Sequence, residues 1–376
     1  MPGVALALVM AGCTFPEKQP GELDASAIDA AGADAAEPDA AVDAAIDAAE
    51  VDAAIDAPPI DATVDAPTID ASVDAPPIDA SVDAPPIDAT VDAPPIDAPP
   101  PWTWQVTTTN VTVLLEDVFG TAANDVYAVG QDGTIIRWNG STWQTQPAGT
   151  FLYLFGVWTN GSRSWAVGDW GVLTRKDGAG SWTSETAPTG NSIYYYGVWG
   201  ASSTNVFAVG LDGYILRHDG NSWSASIHGT ADLAAIHGSS ANDIYAVGEG
   251  GAILHWQGST WSPENSTVIG DLRGVHAMTG GVAYAVGAGG KILRRSGGSW
   301  TQLASPTTSN LFDVFATPSG IWVVGTNGLV YFSDGVNAFE QVAVPTTNPL
   351  FHVWVAPTGE VFIVGVGGLA LRYGPP

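Results

Sequence analysis

The stretch DVYAVGQDGTIIRWNGSTW, Asp125 to Trp143, returns in close variants six more times, and its last version, EVFIVGVGGLALRY from Glu360 to Tyr373, stops before the Trp. The Gly that ends each "AVG" run falls at Gly130, Gly168, Gly210, Gly248, Gly287, Gly325 and Gly365, at spacings of 38, 42, 38, 39, 38 and 40 residues. A period of that length marks one supersecondary unit that cannot bury its apolar surface alone and stacks on its neighbours. An aromatic residue follows 13 or 14 positions later, at Trp143, Trp182, Trp223, Trp261, Trp300 and Phe339, and a seventh would fall beyond Pro376.

Each unit divides into four short strands. Leu154 to Trp158, Tyr195 to Trp199 and Leu350 to Trp354 show the first. The "DVYAVG" run, with β-branched and aromatic residues in a period of two, is the second. A two-residue-plus-Gly turn leads into the third, such as Ile215 to Arg217, and the repeated Trp opens the fourth, as over Trp223 to Ile227. Frequent turn signals with almost no helical periodicity predict an all-β fold, and stacked four-stranded units predict a ring. A missing fourth strand at the C-terminus calls for a donor at the start of the repeats. Trp102 to Thr108 has that character, with Trp102 or Trp104 standing in for the absent Trp. The expectation is therefore a seven-bladed β-propeller over residues 102–376 whose N-terminal strand closes the last blade.

The order strand, GxxG, ILR, DG, W resembles the propellers related to photosystem II stability and assembly factors, a branch of the Asp-box (BNR-like) repeats. Lys176 to Trp182 (KDGAGSW) and His218 to Trp223 (HDGNSW) come nearest to an Asp-box turn, whereas WNGSTW, WQGSTW and RSGGSW lack its Asp. The resemblance covers residues 102–376 and implies the fold more strongly than any activity. No Trp-Asp dipeptide occurs, which argues against WD repeats.

The first 101 residues are of a different kind. Met1 to Gly12 is apolar and ends at Cys13, the single cysteine, in LVMAGC. This resembles the lipobox of a bacterial lipoprotein, implying a signal peptide over 1–12, acylation of Cys13 and a place in the cell envelope. Thr14 rather than Asp after Cys13 favours the outer membrane. No cysteine then remains for a disulfide. From Glu17 to Pro101 the chain is Asp, Ala, Pro, Ile and Val, with DAPPIDATV-like units beginning at Asp56, Asp65, Asp74, Asp83 and Asp92. With no aromatic between Phe15 and Trp102 there is no core to form, so residues 13–101 read as a disordered stalk, spanning roughly 270 Å if fully extended. Of the 39 acidic residues 21 precede Trp102, against one of the 11 basic residues, which leaves −20 on that segment and −8 on the remainder. Such a balance disfavours nucleic acid as a partner.

In a propeller, the second-to-third and fourth-to-first connections emerge on one face, the default ligand face. The middle residue of the seven second-to-third turns is Asp132, Trp170, Asp212, Gly250, Gly289, Asn327 and Gly367. Asp, Asn and Gly suit positive φ, but Trp170 does not, which suggests selection for contact. Tyr153, Phe155 and the run Tyr194-Tyr195-Tyr196 lie near it in the repeat register; the alternative is that these aromatics are core and interblade packing. Asp169, Asp212 and Glu249 add negative charge in blades 2 to 4, while Arg273 and Lys291 belong to blade 5. A polar ligand can bridge them, or Glu249 can pair with Lys291 or Arg273. The expected function is a non-catalytic binding or assembly module for protein or cell-surface glycan, acting as a monomer, with Trp170, Asp169, Tyr153, Tyr194, Tyr196, Asp212, Glu249, Arg273 and Lys291 at the site. A sialidase-like glycoside hydrolase is the alternative. Against it, Arg137, Arg175, Arg217, Arg294 and Arg372 recur at one repeat position, as structural groups do, whereas catalytic groups are unique to one blade. No metal-site spacing, nucleophile elbow or phosphate loop is present, so neither metal nor cofactor is expected.

Overall fold

The computed structural model describes residues 102–376; the signal segment 1–12, acylation at Cys13 and stalk to residue 101 expected from the sequence lie outside the described residues. Seven four-stranded antiparallel sheets make up the fold. Blade 1 runs Leu115–Ala122, Asp125–Gly130, Thr134–Trp138 and Trp143–Gln146, and blades 2 to 6 repeat the pattern. Blade 7 is composite: Leu350–Val355, Val361–Gly365 and Ala370–Gly374 from the C-terminus take Thr103–Thr107 as their fourth strand. The joining register is Thr103 to Gly374, Trp104 to Tyr373, Gln105 to Arg372, Val106 to Leu371 and Thr107 to Ala370. First strands pack on first strands all round the ring, including blade 7 on blade 1, so the seven-bladed propeller is closed.

Trp104 faces Tyr373 as Trp143 faces Trp138 and Trp261 faces Trp256, so Trp104, not Trp102, replaces the missing repeat Trp. The reason for that Trp is visible at the blade boundaries. The second-strand aromatic of one blade meets it edge-on in the next: Tyr127 with Trp182 at 5.7 Å, Trp165 with Trp223 at 4.8 Å, Phe207 with Trp261 at 5.8 Å and Tyr245 with Trp300 at 5.8 Å. Trp322 meets Trp104 at 5.9 Å in the same way, across the boundary that the N-terminal strand completes. Each such contact contributes about 0.5–1.5 kcal/mol beyond the area it buries.

The anchor glycines answer to close approach, not to unusual torsion. A Cβ on Gly130 would lie 2.0 Å from the Leu114 carbonyl oxygen and one on Gly168 1.8 Å from that of Tyr153, because the first strand's entry crosses directly over the turn. Cβ atoms do not approach oxygen so closely, so every copy keeps Gly. The repeated Arg is equally local. Arg137 Nε is 2.7 Å from Asp125 Oδ1 and Arg372 pairs with Glu360, each tying the end of strand three to the start of strand two. His255 takes that place in blade 4 and reaches Asp243 at 2.9 Å. Asp219 shows why the Asp of the turn before the Trp is dispensable. Its carboxylate accepts the amides of Asn221 and Ser222, and the amide oxygen of Asn139 accepts those of Ser141 and Thr142 equally well.

Candidate functional site

Every second-to-third turn holds its middle residue in the left-handed region: φ is 58° at Asp132, 52° at Trp170, 52° at Asp212 and 58° at Asn327, with Gly at the other three. A bulky residue there costs about 1–2 kcal/mol relative to Gly. Trp170 bears that strain with its ring 43% exposed, while its edge meets Tyr194 at 5.5 Å.

Blades 3 to 5 share an arrangement that the Trp170 sector lacks. The apex amide of one blade donates to the residue that precedes the next blade's first strand: Asp212 to Asp232 Oδ1 at 2.8 Å, Gly250 to Asp271 Oδ1 at 3.0 Å and Gly289 to Asn310 Oδ1 at 3.0 Å. At the same repeat position blades 2 and 3 carry Tyr153 and Tyr194. The corner between blades 1 and 3 therefore exchanges an interblade clamp for aromatic rings. Asp232, Asp271 and Asn310 were legible as a shared repeat position but were not singled out.

Around Tyr153 the rings form a chain, with Phe155 at 4.5 Å and Phe155 to Tyr196 at 5.2 Å, while Tyr195 is fully buried as the packing alternative expected. The Tyr153 hydroxyl donates to Glu116 Oε2 at 2.8 Å, and its carbonyl accepts the Asp169 amide at 2.9 Å. Glu116 escaped the sequence reading. It occupies the irregular position between Leu115 and Asp117 that the other blades fill with Phe155, Tyr196, Ala234, Arg273, Phe312 and Phe351, so the carboxylate is unique to blade 1. Burial pushes Glu116 up to about 7 and Asp169 up to about 6. Burial also raises Tyr153, reinforced by the charges of Glu116, Asp169 and Asp132. Two further residues were missed. Phe151 is 93% exposed and Leu152 37%, in the connection that brings the chain to Tyr153. Their signal was a pair of large apolar residues directly ahead of Tyr153 in the short connection Pro147 to Tyr153.

The remaining candidates fall elsewhere. Asp212 belongs to the blade 3–4 clamp, and Arg273 of blade 5 lies 5.9 Å over the Phe312 ring of blade 6. Lys291 donates to the Ala288 carbonyl at 3.0 Å; among the described residues neither it nor Arg273 forms the expected ion pair with Glu249, because the turn's own carbonyl lies within the ammonium's reach.

Deeper in the channel, His352 Nδ1 lies 2.9 Å from Asp117 Oδ1 and 3.3 Å from Asp313 Oδ2. Each carboxylate also accepts an amide of the following blade, Asp117 from Val157 at 2.7 Å and Asp313 from Val353 at 3.0 Å. Burial opposes protonation of His352, but the two carboxylates outweigh it and hold the imidazole up at about 9. His237 and His276 behave oppositely. They stack at 3.9 Å with Phe315 4.1 Å from His276, and burial holds both neutral, His237 down at about 3. Those two imidazoles fill the interblade packing position that is Trp158, Trp199 and Trp354 or Phe119 and Phe315 in the other blades.

A tyrosine–glutamate pair with acidic neighbours is one part of a sialidase-like centre, but the arginines that would have to hold a substrate carboxylate sit at the opposite end of strand three, as the Arg137–Asp125 tie shows. Among the described residues no group of three or more His, Cys, Asp or Glu side chains is placed to hold a metal ion.

A closed seven-bladed ring with an aromatic and acidic corner on its loop face defines the class of molecule. No family model matches the chain, and no curated protein matches it. Solved structures do. "YCF48 bound to D1 peptide" aligns with a TM-score of 0.61 and 21% identity over 73% of this chain and 94% of that one. YCF48 from Cyanidioschyzon merolae aligns at 0.62 and 16%, covering 72% and 98%. A catalytically inactive variant of virginiamycin B lyase from Staphylococcus aureus, with quinupristin, aligns at 0.65 and 14%, covering 72% and 99%. At these identities the likeness is one of fold.

Proposed function

We propose that this protein is a binding and assembly module whose loop face, at the corner built by blades 1 to 3, docks a segment of another protein. The observation that carries this is the exposed trio Phe151, Leu152 and Trp170, the last held at a backbone cost that the other six turns avoid. Exposed apolar groups gathered beside a half-buried aromatic cluster are the usual form of a contact surface. A protein partner is supported by the similar YCF48 propeller that was solved with a peptide bound. In this reading Cys13 is acylated and the acidic stalk displays the ring from a bacterial envelope membrane, the outer one given Thr14 after Cys13. Binding rather than hydrolysis is supported by the recurrence of the arginines at one repeat position and by the hairpin ties that Arg137 and Arg372 make there.

The test replaces Phe151 with Ser and Trp170 with Asn in the full chain and measures loss of partner association by quantitative co-purification, beside a reporter-glycoside assay and a glycan array. Loss of a protein partner with unchanged melting supports docking; release of the reporter, or selective glycan binding at this corner, replaces it.

A further inference from the structure

Resting on the docking reading above, we propose that the corner around Tyr153 receives one basic side chain, arginine or lysine, presented by the partner's polypeptide beside an apolar residue. The geometry has two parts. Trp170 is exposed at the surface with Tyr194 packed against it at 5.5 Å, and an indole ring is the best aromatic partner for a guanidinium or ammonium group. Beside them the Tyr153 hydroxyl donates to Glu116 at 2.8 Å, its carbonyl accepts the Asp169 amide, and the charges of Asp169 and Asp132 also act on that hydroxyl. Among the described residues, none of the three forms an ion pair with a lysine or arginine of this chain, although the arginines elsewhere in the ring are mostly tied to carboxylates. The protonated His352 deeper in the channel is the positive charge that Glu116 senses, and it is itself held by Asp117 and Asp313. The corner thus carries two half-buried acids and an exposed one without a lysine or arginine partner, inside a ring of net charge −8. An incoming cation would supply that compensation and, by holding Glu116 and Asp169 ionised, would release protons as it bound. Exposed Phe151 and Leu152 leave room for the neighbouring apolar side chain.

The experiment titrates the full chain with the peptide acetyl-Ala-Arg-Leu-Ala-amide and with its citrulline counterpart, which keeps the shape and removes the charge. The Trp170 indole N–H resonance reports millimolar binding by NMR. The expected result is at least about tenfold tighter binding of the arginine peptide, an affinity that rises between pH 5.5 and 8, and loss of both differences in Glu116→Gln or Asp169→Asn. The wild-type pH series needs no variant, so a misfolded substitution leaves the proposal exposed to refutation. Equal affinity for the two peptides overturns the basic-side-chain proposal while leaving docking intact, since Trp170→Asn would then weaken both alike. No response to either peptide also overturns it, and the docking reading then stands or falls on the partner measurement alone.

Discussion

At the scale of single residues, two kinds of position answer to opposite demands. Gly168 is fixed by folding, because a methyl group there would collide with the Tyr153 carbonyl that also receives the Asp169 amide. Gly168→Ala is expected to cost more than about 3 kcal/mol, in the range reserved for forced backbone shifts, as read from denaturant melts. Trp170 is not explained by folding. Replacing it with Asn, the residue that Asn327 supplies at the same turn in blade 6, relieves about 1 kcal/mol of left-handed strain and loses an edge contact of about 0.5–1.5 kcal/mol. These nearly cancel, so Trp170→Asn should melt within about 1 kcal/mol of wild type. A loss of several kcal/mol would return Trp170 to the core.

At the scale of strands and blade boundaries, polar groups take up tasks that the repeat's apolar letters do not show. Glu264 accepts both Arg295 Nε and NH2 at 2.8 Å, Trp300 Nε1 at 2.7 Å and His255 Nδ1 at 2.9 Å, tying blade 4 to blade 5. Removing it strands the buried Arg295 and His255, so Glu264→Ala should cost about 3–5 kcal/mol by equilibrium unfolding. Burial opposes ionisation of Glu264, yet hydrogen bonds from His255, Arg295 and Trp300 hold its carboxyl down at about 2. A depressed carboxyl contributes stability above its ordinary value near 4.5, and that contribution fades as pH falls toward 2. The clasp of His352 with Asp117 and Asp313 has the opposite sign. Its raised imidazole contributes fully below the ordinary value near 6.5 and loses its contribution as pH climbs through about 9. The difference in melting temperature between wild type and His352→Gln should therefore shrink from pH 7 to pH 10; a constant difference would mean that packing, not charge, does the work.

At the scale of the whole molecule, closure depends on one strand. Deleting residues 1–101 leaves every ladder among the described residues intact, whereas extending the deletion through Thr107 removes the fourth strand of blade 7, its Trp104–Trp322 contact and the Trp143 Nε1 bond to Thr107 at 2.9 Å. Only the longer deletion should lower the melting temperature, and in one cooperative step. This much was legible because a repeat prints its requirements many times: the anchor Gly, the Trp and even the vacancy left for Trp104 follow from comparing copies within one chain. The site was legible only where a residue broke a local rule, as Trp170 breaks the turn. Glu116 breaks none. A glutamate in a strand is unremarked until the bulge aims it at a tyrosine 37 residues later. Phe151 and Leu152 fall in a loop whose length varies between blades, where no register gives them meaning. Arg273, Lys291 and Glu249 were gathered by face alone, and the ring distributes one face over seven directions.

The same sevenfold repetition allows docking to be mapped blade by blade. A photoreactive phenylalanine derivative, which keeps an aromatic ring at position 170, placed singly at each of the seven turn apices, positions 132, 170, 212, 250, 289, 327 and 367, samples geometrically equivalent sites in the cells that make the protein. If the partner docks at the corner of blades 1 to 3, one and the same protein is captured from positions 132 and 170, falling away by 250 and absent at 289, 327 and 367. Even capture around the ring, or a maximum in blades 5 to 7, would contradict docking at that corner.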